Sequence, residues 1–321
     1  MFDLALTNLL SPIVLSFILG LGAALVRSDL SVPEAVAKGI SIYLLFAIGF
    51  KGGASLSDHG IDSTLILSLT AGVILSFGLP LVGFALLRAI SGMSRIDAAA
   101  VAGHYGSISI VTFVAGTSVL TDAGITSEGY MVAVAAAMEA PAILSALWLI
   151  SRGSDSNNMD TDVWREILLN GSIVLLLGSF VIGILTGADG LAKIEPFIVS
   201  PFQGVLCVFL LDMGLIAGRG LRQAKVLDKG AVAFGIFMPI VGASMGLAAA
   251  VGVGLSLGGT VLMMTLAASA SYIAVPAAMR VAVPQANPSI YLTLSLAVTF
   301  PFNLIIGLPV YLTVAQLMVG T

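Results

Sequence analysis

Apolar positions in this chain do not alternate with polar ones; they run on for about 20 residues at a time, the length a helix needs to cross hydrocarbon. Ten such segments are separated by charged or Gly/Pro/Asp-rich turns. The first five are approximately Leu9–Val26, Pro33–Phe50, Ser63–Ala89, Ala98–Leu120 and Gly129–Ile150. The second five are approximately Trp164–Leu185, Ile198–Gly218, Ala231–Leu257, Gly259–Val281 and Pro288–Met318. Between the halves, Ser151–Asp162 is the only long polar run, and Ser154-Asp155-Ser156-Asn157-Asn158 marks it as a flexible linker. The pattern predicts an all-α polytopic membrane protein of ten transmembrane helices, organised as residues 1–150, a linker at 151–162 and residues 163–321.

Two of the segments are interrupted by small polar residues. Gly103-His104-Tyr105-Gly106-Ser107-Ile108-Ser109 breaks the fourth, and Ala268-Ser269-Ala270-Ser271-Tyr272-Ile273-Ala274-Val275-Pro276 breaks the ninth. Matching interruptions in two halves of a membrane chain point to a transporter's binding site.

Charge placement tests the segment count, because Lys and Arg collect on the cytoplasmic side. With loops assigned to alternate sides, Arg27, Lys38, Arg88, Arg95, Arg152, Arg165, Arg219, Arg222, Lys225, Lys229 and Arg280 share one side, against only Lys51 and Lys193 on the other. Both termini are therefore expected outside the cytoplasm and the linker inside it. Five helices per half would insert the second half upside down. Pro80-Leu81-Val82-Gly83 matches Pro239-Ile240-Val241-Gly242, Gly49-Phe50-Lys51-Gly52-Gly53 matches Gly214-Leu215-Ile216-Ala217-Gly218, and Tyr130 and Pro141 match Tyr291 and Pro301. Their common order predicts an inverted-topology repeat.

Composition agrees: 58% hydrophobic and 9% charged residues with a mean hydropathy of +1.10 exclude a soluble globule. No basic stripe suggests nucleic acid, and a single cysteine, Cys207, excludes an internal disulfide framework. Met1-Phe2-Asp3-Leu4 lacks the positive region of a cleavable signal peptide, so the first apolar segment is expected to be retained.

A helix broken within the membrane exposes backbone groups, tolerable only beside protein or a watered cavity. Two half-helix N-termini, each carrying roughly half a positive charge, would suit a small monovalent anion. Gly106, Ser107, Ile108, Ser109, Ser269, Ala270, Ser271 and Tyr272 are the candidate substrate-binding residues, with His104 and Tyr105 beside them. Tight helix packing is the alternative use of such small residues. Glu139 is expected to be the one acidic residue deep in a helix; Thr299 is its counterpart through Pro141 and Pro301, and Asn303 lies just beyond. Hard oxygens from Glu139, Thr299 and Asn303 would suit sodium rather than a transition metal. A fixed partnership of Glu139 with His104 is the alternative. Asp212 is explained by a local ion pair with Arg219, and Lys51 by snorkelling from an outer helix end.

The ten-segment plan, with Ala102-Gly103-His104-Tyr105-Gly106-Ser107, the run Ser269 to Arg280 and Val32-Pro33-Glu34-Ala35, resembles the sodium-dependent bicarbonate permease family, best known from cyanobacteria. The resemblance implies a fold similar to bile-acid and sodium/proton transporters. Helices 3–5 and 8–10 would form a core domain with helices 4 and 9 crossed and discontinuous, and helices 1, 2, 6 and 7 a gate domain. It also implies sodium-coupled bicarbonate symport by alternating access, with sodium as the coupling ion and no other cofactor, in a homotrimer of the bacterial inner membrane. Some members bind a PII-like regulatory protein; their longer inter-half segment is absent here, where only Ser151–Asp162 connects the halves. Transport of another small anion or organic acid, coupled to sodium or protons, and a nontransporting sensor or scaffold are the other readings. No nucleophile–base pair or cofactor loop points to an enzyme.

Overall fold

The computed structural model describes residues 10–59, 62–151, 171–223, 227–272, 275–276, 278–279 and 283–320. It is 84% helical, with no strand among the described residues. In chain order the helices are α1 (Pro12–Leu25), α2 (Glu34–His59), α3 (Ser63–Ile90), α4 (Arg95–Gly106), α5 (Ile110–Asp122), α6 (Met131–Ala137), α7 (Glu139–Ser151), α8 (Gly171–Ile198), α9 (Phe202–Gln223), α10 (Lys229–Val253) and α11 (Leu257–Ala268). The last, α12, spans Pro288–Val319 and contains two π-helical stretches, Leu294–Thr299 and Asn303–Gly307. Eight candidate membrane spans are present among the described residues; the shorter apolar helices α1 and α11 lie in the first and ninth expected segments. The linker at 152–162, the start of the sixth segment at Trp164, and Arg165, Lys225, Ile273, Ala274, Ala277, Arg280 and Val281 lie outside the described residues.

Glycines set the tightest crossings. A Cβ on Gly20 of α1 would lie 2.0 Å from Leu211 O, and one on Gly214 of α9 2.1 Å from Phe17 O. The same reciprocal approach joins α2 to α8, where a Cβ on Gly53 would lie 1.9 Å from Phe180 O and one on Gly183 2.2 Å from Phe50 O. Only backbones without side chains at these points can come so close. A second group of helices packs around α3 and α10: α4 and α7 against α3, and α11 against α10.

Proline shapes α3 and α10. Pro80 and Pro239 lack the N–H that would bond Ser76 O and Gly235 O four residues earlier. Thr299 Oγ1 donates to Gly235 O at 2.7 Å, and Ser76 Oγ donates to Met138 O. Carboxylates fasten the helix starts: Glu128 accepts from Ser256 N at 2.7 Å and Ser256 Oγ at 2.9 Å at the head of α11, and Asp97 of α4 accepts from Asn287 N at 2.8 Å.

Lys51 lies within a turn of the end of the candidate span Glu34–Ala54, although α2 itself continues to His59. One charged residue stands otherwise than expected. Glu139 is not the only deep acid, since packing of α9 along α1 and α2 also buries Asp212, 7% exposed, with Arg219 supplying countercharge.

Candidate functional site

The two sequence interruptions are breaks in helices. Helix α4 ends at Gly106 because the chain there packs onto α3: a Cβ on Gly106 would lie 2.2 Å from Pro80 Cγ and 2.6 Å from Ser76 O. Ser107 follows as the C-terminal cap, and Ser109 opens α5 by accepting from Thr112 N at 3.2 Å and Thr112 Oγ1 at 2.9 Å. An N-cap serine satisfies one of the first-turn amides, which have no carbonyl within the helix. In the second break Ser269 caps α11, and Ser271 Oγ accepts from Val275 N at 3.4 Å where helical backbone is present again at 275–276. Each break thus holds a Ser-x-Ser unit: Ser107 and Ser269 end α4 and α11, and Ser109 caps α5.

The units cross and are tied together. Ser271 N donates to His104 O at 2.7 Å, His104 Nδ1 donates to Ser271 O at 2.7 Å, and Ser109 N donates to Ser269 Oγ at 2.8 Å. A carbonyl only accepts, so the Nδ1 proton is fixed and Nε2 is left as the free ring nitrogen. Tyr291 stacks on the imidazole with ring centroids 4.4 Å apart. Gly106, Ser107, Ile108, Ser109, Ser269, Ala270, Ser271 and Tyr272 are all buried around this crossing, with His104 and Tyr105. Among the described residues His104 Nε2 and Ser107 Oγ have no hydrogen-bond partner, and Tyr272 Oη lies beside Ser109. Buried polar atoms left so are rare and costly, and these lie at and beside the two helix breaks, a setting suited to a small polar ligand.

The expected sodium set divides. Glu139 sits where α6 gives way to α7, 6% exposed, and its Oε2 has no partner among the described residues. Thr299 instead receives Tyr105 Oη at 2.5 Å while donating to Gly235 O. Asn303 donates to Ala268 O at 2.9 Å and receives Tyr311 Oη at 2.7 Å. No hydrogen bond joins Glu139 to Thr299 or Asn303 among the described residues, nor to His104. Thr299 satisfies the carbonyl freed by Pro239 and Asn303 a carbonyl at the end of α11, so both hold the fold around the breaks. Glu139 carries a free oxygen.

Against α2 and α9, the head of α5 meets a void of only about 10 Å³, lined by Leu45, Ile48, Ile110, Val111, Leu206 and Phe209. A larger cavity of about 340 Å³ opens between α9 and α12, lined among others by Arg219, Gly220, Ser289, Thr293 and Ala297. Phe300 stands one turn beyond Leu296 and Ala297 of that cavity, edge-on to Phe17 at 5.2 Å and to Tyr272 at 5.7 Å. Neither Phe300 nor the π-helical stretches of α12 were anticipated; Phe300-Pro301-Phe302-Asn303 is a helix-distorting signal that reads as an ordinary apolar run by hydropathy.

No curated protein matches the chain significantly. A family model described as the Na+-dependent bicarbonate transporter superfamily matches residues 12–316, from α1 to near the end of α12. With the match covering both breaks and nearly every described helix, the chain belongs to the Na+-dependent bicarbonate transporter superfamily.

Proposed function

We propose that the protein is a secondary active transporter that carries bicarbonate into the cell with sodium by alternating access. The crossing of the two Ser-x-Ser breaks carries this reading. Bicarbonate is small, planar and singly charged, and the N-terminal turn of α5 with Ser107, Tyr272 and His104 Nε2 offers donors and one acceptor for its hydroxyl at one locus. Glu139 contributes a carboxylate oxygen to sodium, with backbone carbonyls at the breaks as further hard ligands. Sodium held beside the crossing would stabilise the anion, coupling the two sites.

The architecture belongs to the same proposal: ten spans in two inverted five-helix repeats. Support comes from the paired crossings, because Gly20 with Gly214 and Gly183 with Gly53 repeat one contact under exchange of the halves. In that register Gly53 corresponds to Gly214, one turn from the Gly49 match drawn from sequence. Helices α1, α2, α8 and α9 then form the gate, and α3–α7 with α10–α12 the core. The protein works as a homotrimer in the bacterial plasma membrane, both termini outside the cytoplasm; the arginine and lysine distribution supports the orientation.

Equilibrium binding of labelled bicarbonate to the purified protein tests the coupling. Sodium should tighten bicarbonate binding, and bicarbonate should tighten sodium binding by the same factor, because linkage is reciprocal. Equal bicarbonate affinity in sodium and potassium would contradict it.

A further inference from the structure

Lys51 is a half-buried ammonium on α2, three residues inside the end of the candidate span Glu34–Ala54. No carboxylate of a described residue pairs with it; its Nζ instead lies 4.7 Å above the ring of Phe202 at the start of α9. Ile48 and Lys51 are one turn apart on α2, as Phe202 and Leu206 are on α9. Ile48 and Leu206 line the small void over the head of α5. The Lys51–Phe202 pair is therefore the next layer above the same void. The neighbouring residue meets the facing group of helices, since a Cβ on Gly52 would lie 2.6 Å from Val132 Cγ2 and 3.1 Å from Gly129 O. Under exchange of the halves, the position equivalent to Lys51 is Asp212, two residues before Gly214 as Lys51 is two before Gly53.

We propose that Lys51 is the anion-selecting residue on the approach to the crossed breaks, resting on the transport reading above. Its ammonium waits on the Phe202 face, where a cation–π contact replaces part of its hydration. It turns to a monovalent anion passing between α2 and α9, raising the local anion concentration at the head of α5 and disfavouring cations on that path.

Uptake of labelled bicarbonate by proteoliposomes, measured for wild type, Lys51→Gln and Lys51→Arg, tests this. In Lys51→Gln the KM for bicarbonate should rise roughly tenfold, the scale of one partly screened charge within about 10 Å. At saturating bicarbonate the half-saturating sodium concentration should stay put, as should the melting temperature, and Lys51→Arg should recover the wild-type KM. Unchanged KM in Lys51→Gln, or bicarbonate and sodium constants rising together with a lowered melting temperature, would overturn the proposal while leaving transport standing. Wild-type protein without bicarbonate uptake would instead contradict the transport reading, and this proposal with it.

Discussion

His104 and Ser271 bond each other twice, backbone N–H of Ser271 to His104 O and His104 Nδ1 to Ser271 O, both at 2.7 Å, although 167 residues separate them in sequence. Both residues are buried, so neither bond competes with water. The pair fixes one broken helix against the other and holds the imidazole in the tautomer that turns an unprotonated Nε2 to the crossing.

The clamp predicts a difference between two near-isosteres. An asparagine amide can take the place of Nδ1–H, whereas a glutamine amide reaches the Nε2 position. His104→Asn should keep most thermal stability, and His104→Gln should lose about 1–3 kcal/mol by leaving Ser271 O unsatisfied in the interior. Thermal unfolding of the purified variants reads the difference; equal stabilities would mean the bond to Ser271 does not hold the crossing.

Ser109 separates stability from anion binding. Ser109→Ala removes the cap on Thr112 N and should cost about 1 kcal/mol. Ser109→Asn supplies a good cap without burying a charge, and should restore most of the stability. Its larger amide occupies the proposed anion locus, so Ser109→Asn should abolish bicarbonate binding while unfolding close to wild type. Retained binding would move the anion away from the head of α5.

Gly106 allows the chain to pass Pro80. Gly106→Ala should cost about 1–3 kcal/mol by overpacking, because its Cβ would lie 2.2 Å from Pro80 Cγ and 2.3 Å from Pro80 Cδ. Gly22→Ala, with nothing within 4 Å, is the control and should be neutral or slightly stabilising. Equal melting temperatures would show that α3 yields freely to α4.

Glu139→Gln removes a buried charge and keeps its shape. Stability should hold or rise, since an uncharged amide is less costly to bury, while the half-saturating sodium concentration for uptake should rise about tenfold or more. Unchanged sodium activation in folded Glu139→Gln would remove Glu139 from the cation site.

Much of this was legible in the sequence because membrane spans and their breaks are written in hydropathy. The runs around Ser107 and Ser269 stand out as small polar residues in apolar surroundings, and the structure places both at helix breaks. Partners across the fold were not legible. Thr299 has the chemistry of a sodium ligand, yet its hydroxyl goes to Gly235 O, a bond that follows only once α10 and α12 are seen to pack at Pro239. Gly52 and Gly53 follow the second apolar run in sequence, and only the packed structure shows that they sit at close helix crossings within α2.

Labelled bicarbonate uptake into proteoliposomes, compared under inward sodium and inward potassium gradients at fixed pH and membrane voltage, tests the central claim most directly. The account predicts saturable uptake with sodium and little with potassium. Uptake that is equal under the two gradients, or absent from folded protein under both, would contradict it.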